Sequence, residues 1–299
     1  MSPPDEHADS VDTLDTSLWE LLCDAHCHPH DEKDKLDMIL KLKTGRLNTM
    51  GVRQDDWDVV ASLASRSEKC QPCFGIHPWF THSDLETMLP QLKPPTPFET
   101  WYNDLRKRLE THPTALVGEV GLDRAARLLP GGQIEWHGVK PTTVQCRVEH
   151  QLAVFEAQLA LARELNRAVS IHCVQGQGHL LQLLQKKPDA PGVIRICLHS
   201  FGGSPATIPQ FINLKYYKVY VSFSTAINAR LGEKLKKLIA SIPEDRLLLE
   251  TDFNTPIGLD EAMLDIARLA ADARDWSLEH TIKQTHTNYQ NFISGRAEE

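Results

Sequence analysis

Short apolar runs recur along the chain, and between them apolar positions return every three or four residues. The runs LLCDAHCH (21–28), RLNTMG (46–51), PCFGIH (72–77), ALVGEVG (115–121), AVSIHC (168–173), IRICLH (194–199), VYVSFS (219–224) and RLLLETD (246–252) predict eight strands. Between the fourth and fifth, Leu152, Phe155, Leu159 and Ala162 mark one face of a helix, and Leu259, Met263, Ile266 and Ala270 repeat that spacing near the end. WYNDLRKRLE (101–110) predicts a further helix. Strands alternating with helices pair in parallel, and eight of them close most economically as a (β/α)8 TIM barrel. The barrel is expected over residues 18–299, after an acidic, polar tail at 1–17 (MSPPDEHADSVDTLDTS). Two connections exceed the usual loop length, 81–113 with its KPPTPF cluster and 124–147. Both follow strand ends, so they would form a lid, a substrate wall or plain surface on the C-terminal face of the barrel.

Bulk properties remove several classes of function. With 41% hydrophobic and 24% charged residues over 299 positions, the composition is that of a water-soluble globular chain. No apolar run approaches the roughly 20 residues of a membrane span, and the acidic start is neither a signal nor a transit sequence. Seven cysteines without a secretory leader point to reduced thiols in the cytosol or nucleus. Cys70-Gln-Pro-Cys73 has no second pair to complete a structural zinc site and reads as buried small residues. A net charge of −8 argues against coating nucleic acid with a basic face, though bound cations could still hold a phosphate locally. Composition fits a monomer and an oligomer equally.

Chemistry concentrates at the predicted strand ends. In a strand, Asp24, His26 and His28 of DAHCH share one face, with Cys23, Ala25 and Cys27 on the other. Two imidazoles aimed at one point suggest a metal. His77, Glu119, His172, His199 and Asp252 close the third, fourth, fifth, sixth and eighth runs. In a parallel barrel these ends meet on one face although the residues span more than half the chain. Four histidines and two acids suffice for two divalent ions if one carboxylate bridges, but they do not choose among zinc, magnesium and manganese. Such a centre activates a water and stabilises charge on the attacking and leaving oxygens, which is hydrolytic chemistry. A serine-triad hydrolase is disfavoured by the lack of a GxSxG elbow. Ser200-Phe-Gly-Gly-Ser204 offers backbone donors at most.

DAHCH, GIHPW, GEVGLD, VSIHC, LHSFGGS, YVSFS and LLLETD occur in the order found in TatD-type metal-dependent hydrolases, and the resemblance runs over about residues 20 to 293. Gln151 with Phe155 and Asn288 with Phe292 extend it. The resemblance implies that His26, His28 and Asp252 hold one ion and His172 and His199 the second. It implies that Glu119 bridges them and that Asp252 orients or deprotonates the attacking water. It places His77 against a substrate phosphate or an additional ion, and Asp123 against substrate or in a loop-positioning role. Asp24 would bond a ligand imidazole or support the barrel. Many members carry an arginine where this chain has Val174, and here Arg124 and a long insert follow GLD. The implied activity is a deoxyribonuclease or phosphodiesterase acting on DNA ends or short single strands. Hydrolysis of a small phosphoester is the alternative. The divergent loops resemble the fungal branch of the family, which implies a third reading as a binder of a mitotic ubiquitin-ligase subunit.

Overall fold

The computed structural model describes residues 14–81, 98–127, 140 and 142–294. Its eight strands are β1 (Cys23–Cys27), β2 (Arg46–Gly51), β3 (Cys70–Phe74), β4 (Leu116–Asp123), β5 (Val169–Val174), β6 (Ile194–Leu198), β7 (Tyr217–Phe223) and β8 (Leu247–Leu249). They form one sheet in sequence order, every neighbouring pair parallel. The ring closes just above β8, where the Asp252 N–H donates to the His26 carbonyl at 2.9 Å and the His28 N–H to the Phe253 carbonyl at 2.7 Å. This is the TIM barrel that the pattern predicts.

The helices are α1 (Thr16–Leu21), α2 (Leu36–Ile39), α3 (Trp57–Arg66), α4 (Phe98–Thr111), α5 (Val148–Glu164), α6 (Gln177–Gln185), α7 (Ile208–Ile212), α8 (Thr225–Asn228), α9 (Glu233–Ser241), α10 (Leu259–Arg274) and α11 (Leu278–Ser294). The predicted faces of α5 and α10 are turned inward: Phe155, Leu159, Ala162, Leu259, Met263, Ile266 and Ala270 are all buried. The outward side chains of the strands pack with these helices in one large apolar cluster. A second cluster fills the barrel, with Cys23, Ala25, Met50, Cys73, Leu116, Cys197, Tyr220 and Leu248 meeting Tyr289 and Phe292 of α11. That helix closes the barrel floor, and Asn288 ties it to the β8 end by donating to the Glu244 and Leu247 carbonyls at 2.7 and 2.8 Å. Among the described residues no helix is long and apolar enough to cross a membrane.

Several expectations are modified. Asp15 accepts from the Ser17 N–H and caps α1 at Thr16, so the tail ends before residue 17; residues 1–13 lie outside the described residues. The strict alternation expected of DAHCH is broken by a register irregularity between Asp24 and Cys27. Cys23 and Ala25 pack inside the barrel, whereas Cys27 joins the outer cluster. Asp24 therefore leaves the histidine set. Fully buried, it accepts from the Thr251 hydroxyl at 2.6 Å, the Thr251 N–H at 3.1 Å and the His26 N–H at 3.1 Å, bracing β1 against the segment after β8. Burial pushes its carboxyl up to about 7. Of the two long connections, 82–97, 128–139 and 141 lie outside the described residues, and so does the lid or wall expected there.

Candidate metal centre

Strand ends bring the predicted residues together under one cavity of about 890 Å³. His28, His77, Glu119, Asp123, His172, His199 and Asp252 line it, and His26 lies fully buried beneath. Glu119 is the hub. Its Oε2 lies 3.4 Å from His26 Nε2 and 3.3 Å from His28 Nε2. Its Oε1 lies 2.6 Å from His172 Nδ1, 2.8 Å from His199 Nε2 and 3.3 Å from His77 Nε2. Asp252 Oδ1 joins the first group, 3.6 Å from His26 Nε2 and 3.5 Å from His28 Nε2. The carboxylate thus straddles two nitrogen sets, with the His26 and His199 rings stacked at 3.8 Å between them. Within each set the nitrogens are 3.2 Å (His26, His28) and 3.1 Å (His172, His199) apart. Ligands about 2.1 Å from a common ion are separated by about 3.0 to 3.4 Å, so the spacing fits.

The partner of each distant ring nitrogen shows which nitrogen is free to ligate. His26 Nδ1 meets the Ser170 hydroxyl at 2.8 Å, and His28 Nδ1 donates to the Met50 carbonyl at 3.2 Å. His172 turns Nε2 to Asp123 Oδ2 at 3.4 Å, and His199 turns Nδ1 toward Glu250 Oε1 at 3.7 Å. In all four the other ring nitrogen faces Glu119, where it could ligate an ion once any proton it carries is displaced. His77 is reversed. Its Nδ1 accepts the Trp79 N–H at 3.2 Å, which leaves the proton on the Nε2 that faces the centre. His77 also groups with Glu119 and His172 as a metal set. Its tautomer makes it a hydrogen-bond donor instead. His26, His199 and Glu250 form another such set, but the Glu250 oxygens already accept from the Ser200 N–H at 2.7 Å and from the Ser200 and Ser222 hydroxyls.

Asp252 adopts φ 58, a left-handed conformation that turns its carboxylate from the β8 direction toward His26 and His28. Burial opposes ionisation of Glu119, but the surrounding His77, His199, His26 and His172 overcome it and hold the carboxyl well below its ordinary range. Burial also lowers imidazole basicity, and for His28, His172 and His199 the facing carboxylates more than offset it, raising all three. Burial prevails at His77, which falls to about 4 and is neutral at pH 7. A divalent ion therefore competes with protons on the three raised histidines. Mn²⁺ affinity measured by calorimetry is expected to rise with pH through 7, with proton release visible in buffers of different ionisation enthalpy. A pH-independent affinity between 6 and 8 would contradict this.

Two buried glutamines on one face of α5 fix the strand ends. Gln151 accepts the Asp123 N–H at 2.7 Å and donates to its carbonyl at 2.9 Å. Gln158 does the same for Ile76, at 2.7 and 3.1 Å, one residue before His77. Asp123 Oδ1 accepts the Ala125 N–H and Oδ2 the Trp79 indole, at 2.7 and 2.5 Å. Although it lines the cavity, this carboxylate is engaged in holding its own turn, Trp79 and His172. Asp123→Ala is expected to weaken Mn²⁺ binding by about 10–100-fold, the usual cost of losing a carboxylate behind a ligand histidine. Unchanged affinity by titration calorimetry would show that His172 needs no such support.

The family profile described as "TatD related DNase" matches residues 23–294, which includes every strand and the whole centre. The chain belongs to the TatD-related DNase family. Among TatD relatives it is similar to the Cut9-interacting protein scn1 of Schizosaccharomyces pombe, 32% identical, with 92% of this chain and 99% of that protein covered. It is 26% identical to an uncharacterized deoxyribonuclease of Saccharomyces cerevisiae, with 91% and 99% covered. Its fold resembles the crystal structure of the TatD homologue YJJV of Escherichia coli, with a TM-score of 0.66 at 19% identity over 93% of this chain and 99% of that one. The TatD family comprises metal-dependent hydrolases of ester bonds, and the histidine–carboxylate clusters described above are able to bind metal ions.

Proposed function

We propose that this chain is a two-metal phosphodiesterase of the TatD type that cleaves DNA ends or short single strands. One observation carries the reading: Glu119 directs one oxygen to the ring nitrogens of His26 and His28 and the other to those of His172 and His199. Divalent ions bound there would activate a water and neutralise charge on the phosphodiester. Asp252, with its carboxyl held below the ordinary range by His28, His26 and His199 against the opposing effect of burial, is ionised at neutral pH and accepts the proton of the attacking water at Oδ1. His77 donates from Nε2 to a phosphate oxygen, the role its tautomer favours over that of ligand to an additional ion. Gln151 and Gln158 keep the Asp123 and Ile76 backbones in register so that these groups converge.

The reading is tested by comparing turnover of a short single-stranded oligonucleotide, bis(4-nitrophenyl) phosphate and a neutral nitrophenyl ester, each with Mg²⁺, Mn²⁺ and Zn²⁺. Oligonucleotide cleavage with a preference for phosphodiesters over the neutral ester supports it. Turnover of small phosphoesters alone would select the small-molecule alternative. The name of the fission yeast relative favours a partner-binding role as a second reading. Capture of a ubiquitin-ligase subunit that survives loss of the ligand set, without hydrolysis of any substrate, would select it.

A further inference from the structure

We propose that Arg230 anchors a second phosphate of the substrate, next along the strand from the one cleaved, so that the cavity selects a chain of phosphodiesters over a lone one. This rests on the phosphodiesterase reading above. Arg230 lies in the turn Ala229–Leu231 between α8 and α9 and is the only arginine or lysine among the described residues that line the cavity. Four lining residues carry carboxylates: Asp31, Glu119, Asp123 and Asp252. Two divalent ions would balance those four charges, leaving the Arg230 guanidinium as the uncompensated charge facing an incoming anion. It has no ion-pair partner among the described residues, whereas Arg66, Arg106, Arg108 and Arg246 elsewhere in the protein are each paired with a carboxylate. The β5 side of the cavity offers only neutral Cys173, Val174, Gln175 and Gln177 near His172.

Position separates this cation from the bond-breaking groups. Arg230 is exposed, whereas Glu119 is 4% exposed. A phosphate held between the nitrogen sets lies at the cavity floor, and one held by Arg230 lies at the rim. The turn is fixed by Asn228, fully buried, which accepts the Ser224 N–H at 3.0 Å and donates to the Ser200 carbonyl at 3.1 Å. Ser200 lines the same cavity and follows His199, so the turn that bears Arg230 is braced against the segment that bears a candidate ligand. A planar guanidinium on a fixed turn matches two phosphate oxygens at once.

The test uses the metal-loaded full chain, with an oligothymidylate of several phosphates and with bis(4-nitrophenyl) phosphate, which has one. Arg230→Ala is expected to raise KM for the oligothymidylate by about 10-fold or more, the effect of one charge-assisted phosphate contact, with kcat within about 2-fold. The salt dependence of log KM should fall by about 0.7. KM for bis(4-nitrophenyl) phosphate stays unchanged, and Arg230→Lys restores part of the oligothymidylate affinity. An unchanged oligothymidylate KM overturns the anchor while leaving the phosphodiesterase intact. An equal fall in kcat on both substrates overturns it too, by showing an effect on the centre itself. Wild type that cleaves bis(4-nitrophenyl) phosphate alone rejects the second-phosphate site but not the hydrolase. Wild type that cleaves neither rejects the underlying reading.

Discussion

Glu119→Gln is expected to lower kcat by at least about 10³-fold, a barrier increase of about 4 kcal/mol, at saturating Mg²⁺ or Mn²⁺. The amide has the shape of the carboxylate, but it cannot serve as an anionic bridge between two nitrogen sets. The four histidines that hold the Glu119 carboxyl below its ordinary range lose the charge they surround. His28, His172 and His199 are raised largely by carboxylates that include Glu119, so they become less basic and the fold stays intact. The variant should therefore be folded, nearly inactive and without the rise in Tm that divalent ions are expected to give the wild type. Steady-state kinetics over a metal titration, beside thermal melts, reads both effects. A loss below about 10-fold would mean that Glu119 does not bridge.

Gly121→Ala is expected to cost about 4 kcal/mol or more, a large share of the 5–15 kcal/mol that holds a typical domain folded. Gly121 has φ +142, a conformation side chains rarely adopt, and it pairs with His172 across β4 and β5. A Cβ there would lie 2.0 Å from the His172 carbonyl oxygen. Relief requires parting the two strands where Gly121 pairs with His172, two residues beyond Glu119, so stability and metal affinity should fall together. Gly178→Ala is the counter-case. A Cβ on Gly178, within α6, meets nothing within 4 Å, and the substitution should stabilise by about 0.5–1 kcal/mol. Urea unfolding of both variants checks the pair. A cost below about 1 kcal/mol for Gly121→Ala would contradict the close approach.

The barrel was legible because parallel strands buried on both faces leave apolar runs, and helices of 16 or 17 residues such as α5 and α10 leave clear stripes. β2 was the faintest because its buried positions include Asn48 and Thr49. Asn48 donates to the Ala25 carbonyl at 3.0 Å and accepts the Tyr289 hydroxyl at 2.6 Å, contacts made 23 and 241 residues away that no local pattern reveals. β8 stops at Leu249, three residues before Asp252, because the chain leaves the ladder to reach its left-handed turn.

The histidines and Glu119 were readable as a set because strand ends of a barrel converge. What supports them was less so. Ser170 carried a signal, lying two residues before His172 on one strand and so on the same inward face. Gln158 carried another, a polar residue seven after Gln151 on the stripe that holds Phe155, Leu159 and Ala162. Glu250 carried none, since the hydroxyls that engage it come from β7 (Ser222) and from the segment after β6 (Ser200). The role of Asp24 was obscured by the register irregularity in β1, which ordinary alternation does not anticipate.

The central claim is that hydrolysis occurs at the centre bridged by Glu119 and uses Asp252. Its most direct test is metal-dependent cleavage of a short single-stranded oligonucleotide by wild type and Asp252→Ala, prepared identically, with Mg²⁺, Mn²⁺ and Zn²⁺ supplied separately. The account predicts cleavage by wild type with at least one of these ions, abolished by chelation, and a loss of at least about 10³-fold in the variant. Equal cleavage by the two proteins, or none by wild type with any ion, would contradict it.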